Sequence, residues 1–108
     1  MSDAVSLSAN LWRWASDGSP AGGWYFLIVD GEAGETIAAH EAMRRMELGK
    51  GRGFGSVKVR VRLGDSEWAT SVFPSKSRGG YLLPVKAAVR KAEGLAEGDV
   101  VGVTLTLL

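Results

Sequence analysis

The sequence contains no cysteine, which excludes disulfides, thiolate-ligated zinc, iron–sulfur clusters and a thiol nucleophile together. Histidine occurs once, as His40, with no second imidazole to complete a metal set. A Ser-His pairing would call for a nucleophile elbow of the Gly-x-Ser-x-Gly type, and none is present. No apolar run approaches the roughly 20 residues of a membrane-spanning helix, and Met1–Ser6 has neither the basic nor the apolar region of a signal peptide. The expectation is a soluble cytoplasmic chain with no membrane partner, no cofactor, no metal site and no identified catalytic residues; this leans against an enzyme, and an enzyme of unrecognised class stays as the third alternative.

The 108 residues are 45% hydrophobic and 23% charged, far from the composition of disordered chains. A chain of this length buries roughly 65% of its unfolded surface and needs no staples, so residues 1–108 are expected to form a single domain. Net charge is only +1, but it is unevenly spread. Residues 1–49 hold 3 basic and 7 acidic groups, whereas residues 50–108 hold 10 and 5. A basic second part suits an anionic partner, although solvated charges on alternating strand faces give the same count.

Hydrophobic periodicity places the elements. Val5 to Ala15 is a strand, with Val5, Leu7, Ala9 and Leu11 on one face and Trp12 and Trp14 on the other, a change of face that suggests a bulge. A turn over Ser16–Gly23 leads to Trp24–Val29, an apolar run expected to be buried on both faces. A helix over Gly34–Leu48 follows, carrying Ile37, Ala38, Met43 and Met46. Val57, Val59, Val61 and Leu63 then alternate with Lys58, Arg60 and Arg62.

Gly64-Asp65 fits a two-residue type II′ hairpin turn. This fixes the register: Val61 opposes Trp68, Val59 opposes Thr70, Val57 opposes Val72, and Arg62 opposes Glu67 as an outer ion pair. Tyr81–Leu83 begins a closing unit in which Pro84 takes the first helical position. Val85, Ala88, Val89 and Ala92 form its stripe, and Gly94 with Leu95 a Schellman stop. Val101, Val103, Leu105 and Leu107 face one way along the last strand, and Thr104 and Thr106 the other.

A shift of 56 residues lays Trp12 on Trp68, Gly23 on Gly79, Tyr25 on Tyr81, Leu27 on Leu83 and Val29 on Val85. The element order ββαβ then occurs twice, which hints at an internal duplication. Arg52-Gly53-Phe54-Gly55-Ser56-Val57-Lys58-Val59 echoes an RNA-recognition signature, but Ser56 and Val59 stand where aromatic platforms are required and the element order differs. Gly49, Gly51, Gly53 and Gly55 lie after a helix and before a strand, the reverse of phosphate-binding loops.

Phe54–Arg60, Trp68–Pro74 and Gly80–Leu95, closing on Gly98-Asp99, resemble the bacterial domain-of-unknown-function family nineteen-oh-five, with looser similarity through Gly23–Phe26. The resemblance implies a fold that is mainly β with two helices (α+β), a small double-split-type β-barrel related to the swapped-hairpin barrels of AbrB-type regulators and MazE-type antitoxins. It implies no established activity. In AbrB-type proteins a dimer builds the barrel, whereas the doubled order here lets one chain supply both halves. Their arginine-bearing recognition loops have no clear counterpart in this sequence.

The leading functional reading is therefore a non-enzymatic binding or interaction module for a protein or an anionic ligand. Its candidate contact residues are the basic Arg60, Arg78, Lys86 and Arg90, with Trp24 or Tyr81 as an aromatic contact. The rival reading is nucleic-acid binding, without a specific motif behind it. The rival predicts salt-dependent retention of DNA or RNA; a purified protein that shifts no probe at low ionic strength dismisses it.

Overall fold

Alternation with a period of two builds the interior of this molecule. The computed structural model describes residues 4–14, 24–48, 56–75 and 79–108, together with the backbone but not the side chains of residues 44, 45, 47 and 48. Among the described residues there are six strands, β1 (Ala4–Trp14), β2 (Trp24–Val29), β3 (Val57–Leu63), β4 (Ser66–Pro74), β5 (Tyr81–Pro84) and β6 (Val100–Leu107), and two helices, α1 (Gly31–Leu48) and α2 (Ala87–Glu93). The expected turn over 16–23, the glycine-rich stretch 49–55 and Arg78 lie outside the described residues.

The strands close into an antiparallel barrel in the order β1-β2-β5-β4-β3-β6. This order maps onto itself when β1, β2 and β3 exchange with β4, β5 and β6. Every strand sends alternate residues inward, and Leu11, Leu27, Val29, Val59, Val61, Val72, Leu83, Val103 and Leu105 meet there in one buried cluster. The 56-residue offset matches β2 with β5, because Tyr25 and Tyr81, Leu27 and Leu83, and Val29 and Val85 all belong to or pack on that cluster. It fails between β1 and β4: Trp12 is exposed on the outside, while Trp68 packs against the core.

The β3–β4 hairpin has the expected register throughout, from Leu63↔Ser66 to Val57↔Val72. Gly64 has φ +58° and Asp65 a negative φ, the combination a type II′ turn demands. One detail differs: Glu67 lies opposite Arg62 but pairs with Arg60, at 3.3 Å. Strand twist brings diagonal neighbours within reach of long side chains, and Arg62 instead lies beside Thr104 of β6.

Three expectations are corrected. β1 has no bulge: its partners step one for one against β6 over Ala4–Asn10 and against β2 over Leu11–Trp14, so Trp12 and Trp14 are simply the outward residues of a regular strand. α1 begins at Gly31 rather than Gly34, and it enters the core through Ile37 with Ala33 beside it, whereas Met43 and Met46 are exposed. Pro84 does not start α2. The Val85 N–H donates to the Tyr25 carbonyl at 2.9 Å, so the strand ladder runs one residue past Pro84 and the helix waits until Ala87. Of the expected stripe, Val85 and Val89 are consequently buried, with Ala88 and Ala92 outside.

α2 ends as expected. Leu95 N–H donates to Arg90 O at 2.9 Å and Gly94 N–H to Lys91 O at 3.4 Å, with Gly94 left-handed, which is the Schellman pair. Gly80 carries the tightest backbone approach: at φ +65°, a Cβ there would collide with the Val29 carbonyl oxygen and crowd Asp30. Gly80→Ala is therefore expected to cost about 2–4 kcal/mol from the left-handed φ and the backbone overlap together. Urea denaturation checks this, and a midpoint equal to wild type would contradict the packing.

Candidate functional site

The ladder between β4 and β5 contains only Phe73↔Leu82 and Pro74↔Tyr81, with one more bond from Ser75 N–H to Gly80 O at 3.0 Å. Antiparallel pairs alternate between bonded and non-bonded, so the next bonded pair along this ladder would be Ser71 with Pro84. Proline has no N–H to give, and the ladder stops. At this point β5 turns away into α2, leaving a seam in the barrel wall.

α2 is fastened across that seam by side chains. Ser66 Oγ, at the start of β4, donates to Glu93 Oε2 at 2.7 Å. On the other side, the Arg90 guanidinium carbon stands 3.6 Å from the centroid of the half-buried Tyr25 ring of β2, and Arg90 Nε donates to Val85 O at 3.3 Å. Val85 and Val89 fill the space beneath.

Where the seam is not filled, a cleft of about 310 Å³ remains, lined by Trp24, Trp68, Ala69, Thr70, Pro84, Val85 and Lys86. β2 supplies the Trp24 indole, which is 40% exposed and lies against Phe26 with ring centroids 5.1 Å apart. β4 supplies Trp68 and Thr70 from its inward positions, reachable because no strand covers them there. Lys86 is the residue before α2; its side chain makes no cap hydrogen bond and has no ion-pair partner among the described residues. Among the described residues the lining thus combines two indoles, a hydroxyl and one cation, with no carboxylate.

The sequence-derived candidates separate into different environments. Trp24 and Lys86 come together in the cleft. Arg90 lies on the same helix but is engaged with Tyr25 and Val85. Arg60 is on the outer face of β3, paired with Glu67. Tyr81 is 8% exposed and inside the barrel, because the β5 register that pairs it with Val29 gives it an inward position. Trp68 and Thr70 were not among the candidates. The signal that could have found them is Pro84, a ladder-stopping residue at the end of a short strand beside two inward residues of its neighbour.

The rest of the barrel wall divides into two kinds of outer surface. Outside β1, β6 and β3, a shallow concavity of about 510 Å³ is lined by Ser6, Ser8, Thr104, Arg62, Gly64 and Gly102, with the Ser6 and Thr104 hydroxyls 3.1 Å apart and bonded to each other. Outside β2, β5 and the adjoining ends of β1 and β4 the wall is apolar: Trp12 lies opposite Phe26 and Phe26 opposite Pro84, Trp14 lies opposite Trp24, and Ile28 and Phe73 flank Leu82. The cleft opens at the margin of this apolar wall. Among the described residues no three His, Asp or Glu side chains are grouped to hold a metal ion, and no helix is long and apolar enough to cross a membrane.

A family model described as a domain of unknown function (DUF1905) matches residues 8–105, a span from β1 to β6. No curated protein matches the chain.

Arg90→Ala should lower stability by about 1–2 kcal/mol through loss of one hydrogen bond and one cation–π contact. Arg90→Lys should recover only part, since an ammonium cannot lie flat on Tyr25 while also donating to Val85. Chemical denaturation of both variants measures this; an unchanged Arg90→Ala midpoint would remove the fastening role.

Proposed function

The chain belongs to the domain-of-unknown-function family DUF1905, and from that premise we propose that it is a non-catalytic binding domain whose ligand site is the cleft between β4 and the corner where β5 meets α2. The observation that carries this reading is the lining itself: two indoles and a lysine ammonium, unpaired among the described residues, around about 310 Å³. Ligand pockets run from roughly 300 to 1,000 Å³ and combine apolar walls with a few placed polar groups. Trp24 and Trp68 offer flat apolar faces, and Lys86 and Thr70 offer donors, so the favoured ligand is an anion with an apolar body.

Catalysis is disfavoured by the same lining. Among the described residues it contains no histidine, aspartate or glutamate to act as a general base toward the Thr70 hydroxyl. The hydroxyl-lined concavity beside Arg62 is the weaker candidate, because two of its hydroxyls satisfy each other on an open sheet face.

A fragment screen followed by amide chemical shifts tests the proposal. Acidic aromatic or aliphatic fragments should move the amides of Ala69, Thr70, Val85 and Lys86. Lys86→Ala, an exposed substitution with little cost to folding, should weaken the same fragments about tenfold. Hits that move Ser6, Arg62 and Thr104 instead would relocate the site.

A further inference from the structure

We propose that the cleft receives the carboxyl-terminal end of an extended peptide, which adds to the unpaired edge of β4 and places its terminal carboxylate on Lys86. This rests on the binding reading above and specifies its ligand. The Gly64-Asp65 turn makes Leu63 with Ser66 the bonded pair that closes the hairpin, so Ser66, Trp68, Thr70 and Val72 direct their backbone groups toward β3. Glu67, Ala69, Ser71 and Phe73 direct theirs the other way.

Phe73 meets Leu82, but Ser71 faces a proline nitrogen with no hydrogen to donate. The position that would face Ala69 is Lys86, whose carbonyl is already taken by the N–H groups of Val89 and Arg90, each at 3.1 Å. The outward N–H and C=O of Ala69 therefore have no partner among the described residues, and both border the cleft. An uncovered strand edge beside apolar pockets is what strand-adding peptide recognition uses: main-chain bonds give affinity and alternate side chains give selectivity.

Three features choose a chain end over an internal segment. The cleft lies at the low end of ligand-pocket sizes, and among the described residues its lining has one cation and no acid and Lys86 has no competing ion pair. An apolar last side chain would lie with the Trp24 and Trp68 indoles. The residue before it would exchange hydrogen bonds with Ala69 through its own N–H and C=O, and Thr70 can donate to a carboxylate oxygen. A free amino terminus is disfavoured by Lys86.

The test uses acetylated hexapeptides with the last three positions varied and a free carboxylate, the same peptides as carboxamides, and simple aryl carboxylic acids with no peptide group. Binding is read by amide chemical shifts on the whole chain. The proposal expects free-acid peptides with an apolar last residue to bind, to move the Ala69 amide downfield, and to weaken by about ten- to a hundredfold on amidation or in Lys86→Ala. Carboxamides that bind as well as acids would overturn it. Aryl acids that bind as tightly as peptides without moving Ala69 would overturn it too, while leaving the cleft standing as a small-anion site. Absence of any cleft shift with peptides and aryl acids alike would remove both readings.

Discussion

A closed barrel has to pair every strand on both sides, so its shape depends on whichever ladder is shortest. Here that ladder joins β4 to β5, and it is limited by the missing N–H of Pro84. Everything distinctive about the molecule gathers along the resulting seam. β5 leaves the wall, α2 crosses the gap, and Val85 and Val89 fill it from above while Glu93 and Arg90 tie the helix to the two sides. The backbone pairing that the proline forbids is replaced by side-chain contacts.

That replacement is incomplete, and its incompleteness makes the cleft. Side-chain fastening leaves the outward backbone groups of Ala69 unpaired among the described residues and leaves Trp68 and Thr70 reachable from outside. The same local fact, a proline where a ladder donor was due, therefore shortens the wall and opens the candidate site. The division of the outer wall into a hydroxyl-bearing half and an apolar half adds direction, because the cleft sits at the apolar margin where Trp24 and Pro84 belong to both.

Much of this architecture was legible from residue patterns. Strict alternation in Val57–Leu63 and Val101–Leu107 announced inner and outer faces, and Gly64-Asp65 announced the turn and hence the register. Gly94 with Leu95 announced the end of α2. Misreadings arose where a residue type had two uses. Pro84 suits a first helical turn as well as a strand end, and only the bond from Val85 to Tyr25 decides between them. Met43 and Met46 look like core until α1 is seen to meet the core only near Ile37.

The candidate site shows the same boundary. By itself the sequence determined which residues alternate inward, where the chain turns, and that no cysteine, metal cluster motif or nucleophile elbow was on offer, because these depend on neighbours within a few positions. It also offered Trp24 and Lys86 among its candidate contact residues, beside Arg60, Arg78, Arg90 and Tyr81. Only the tertiary structure decided that Trp24 and Lys86 share a cleft, that Arg90 is engaged with Tyr25, that Tyr81 is inside, and that the outward backbone of Ala69 in β4 is unpaired among the described residues. Those outcomes rest on which strands become neighbours around the closed barrel, a relation between residues as distant as Ala69 and Lys86 that no local pattern encodes.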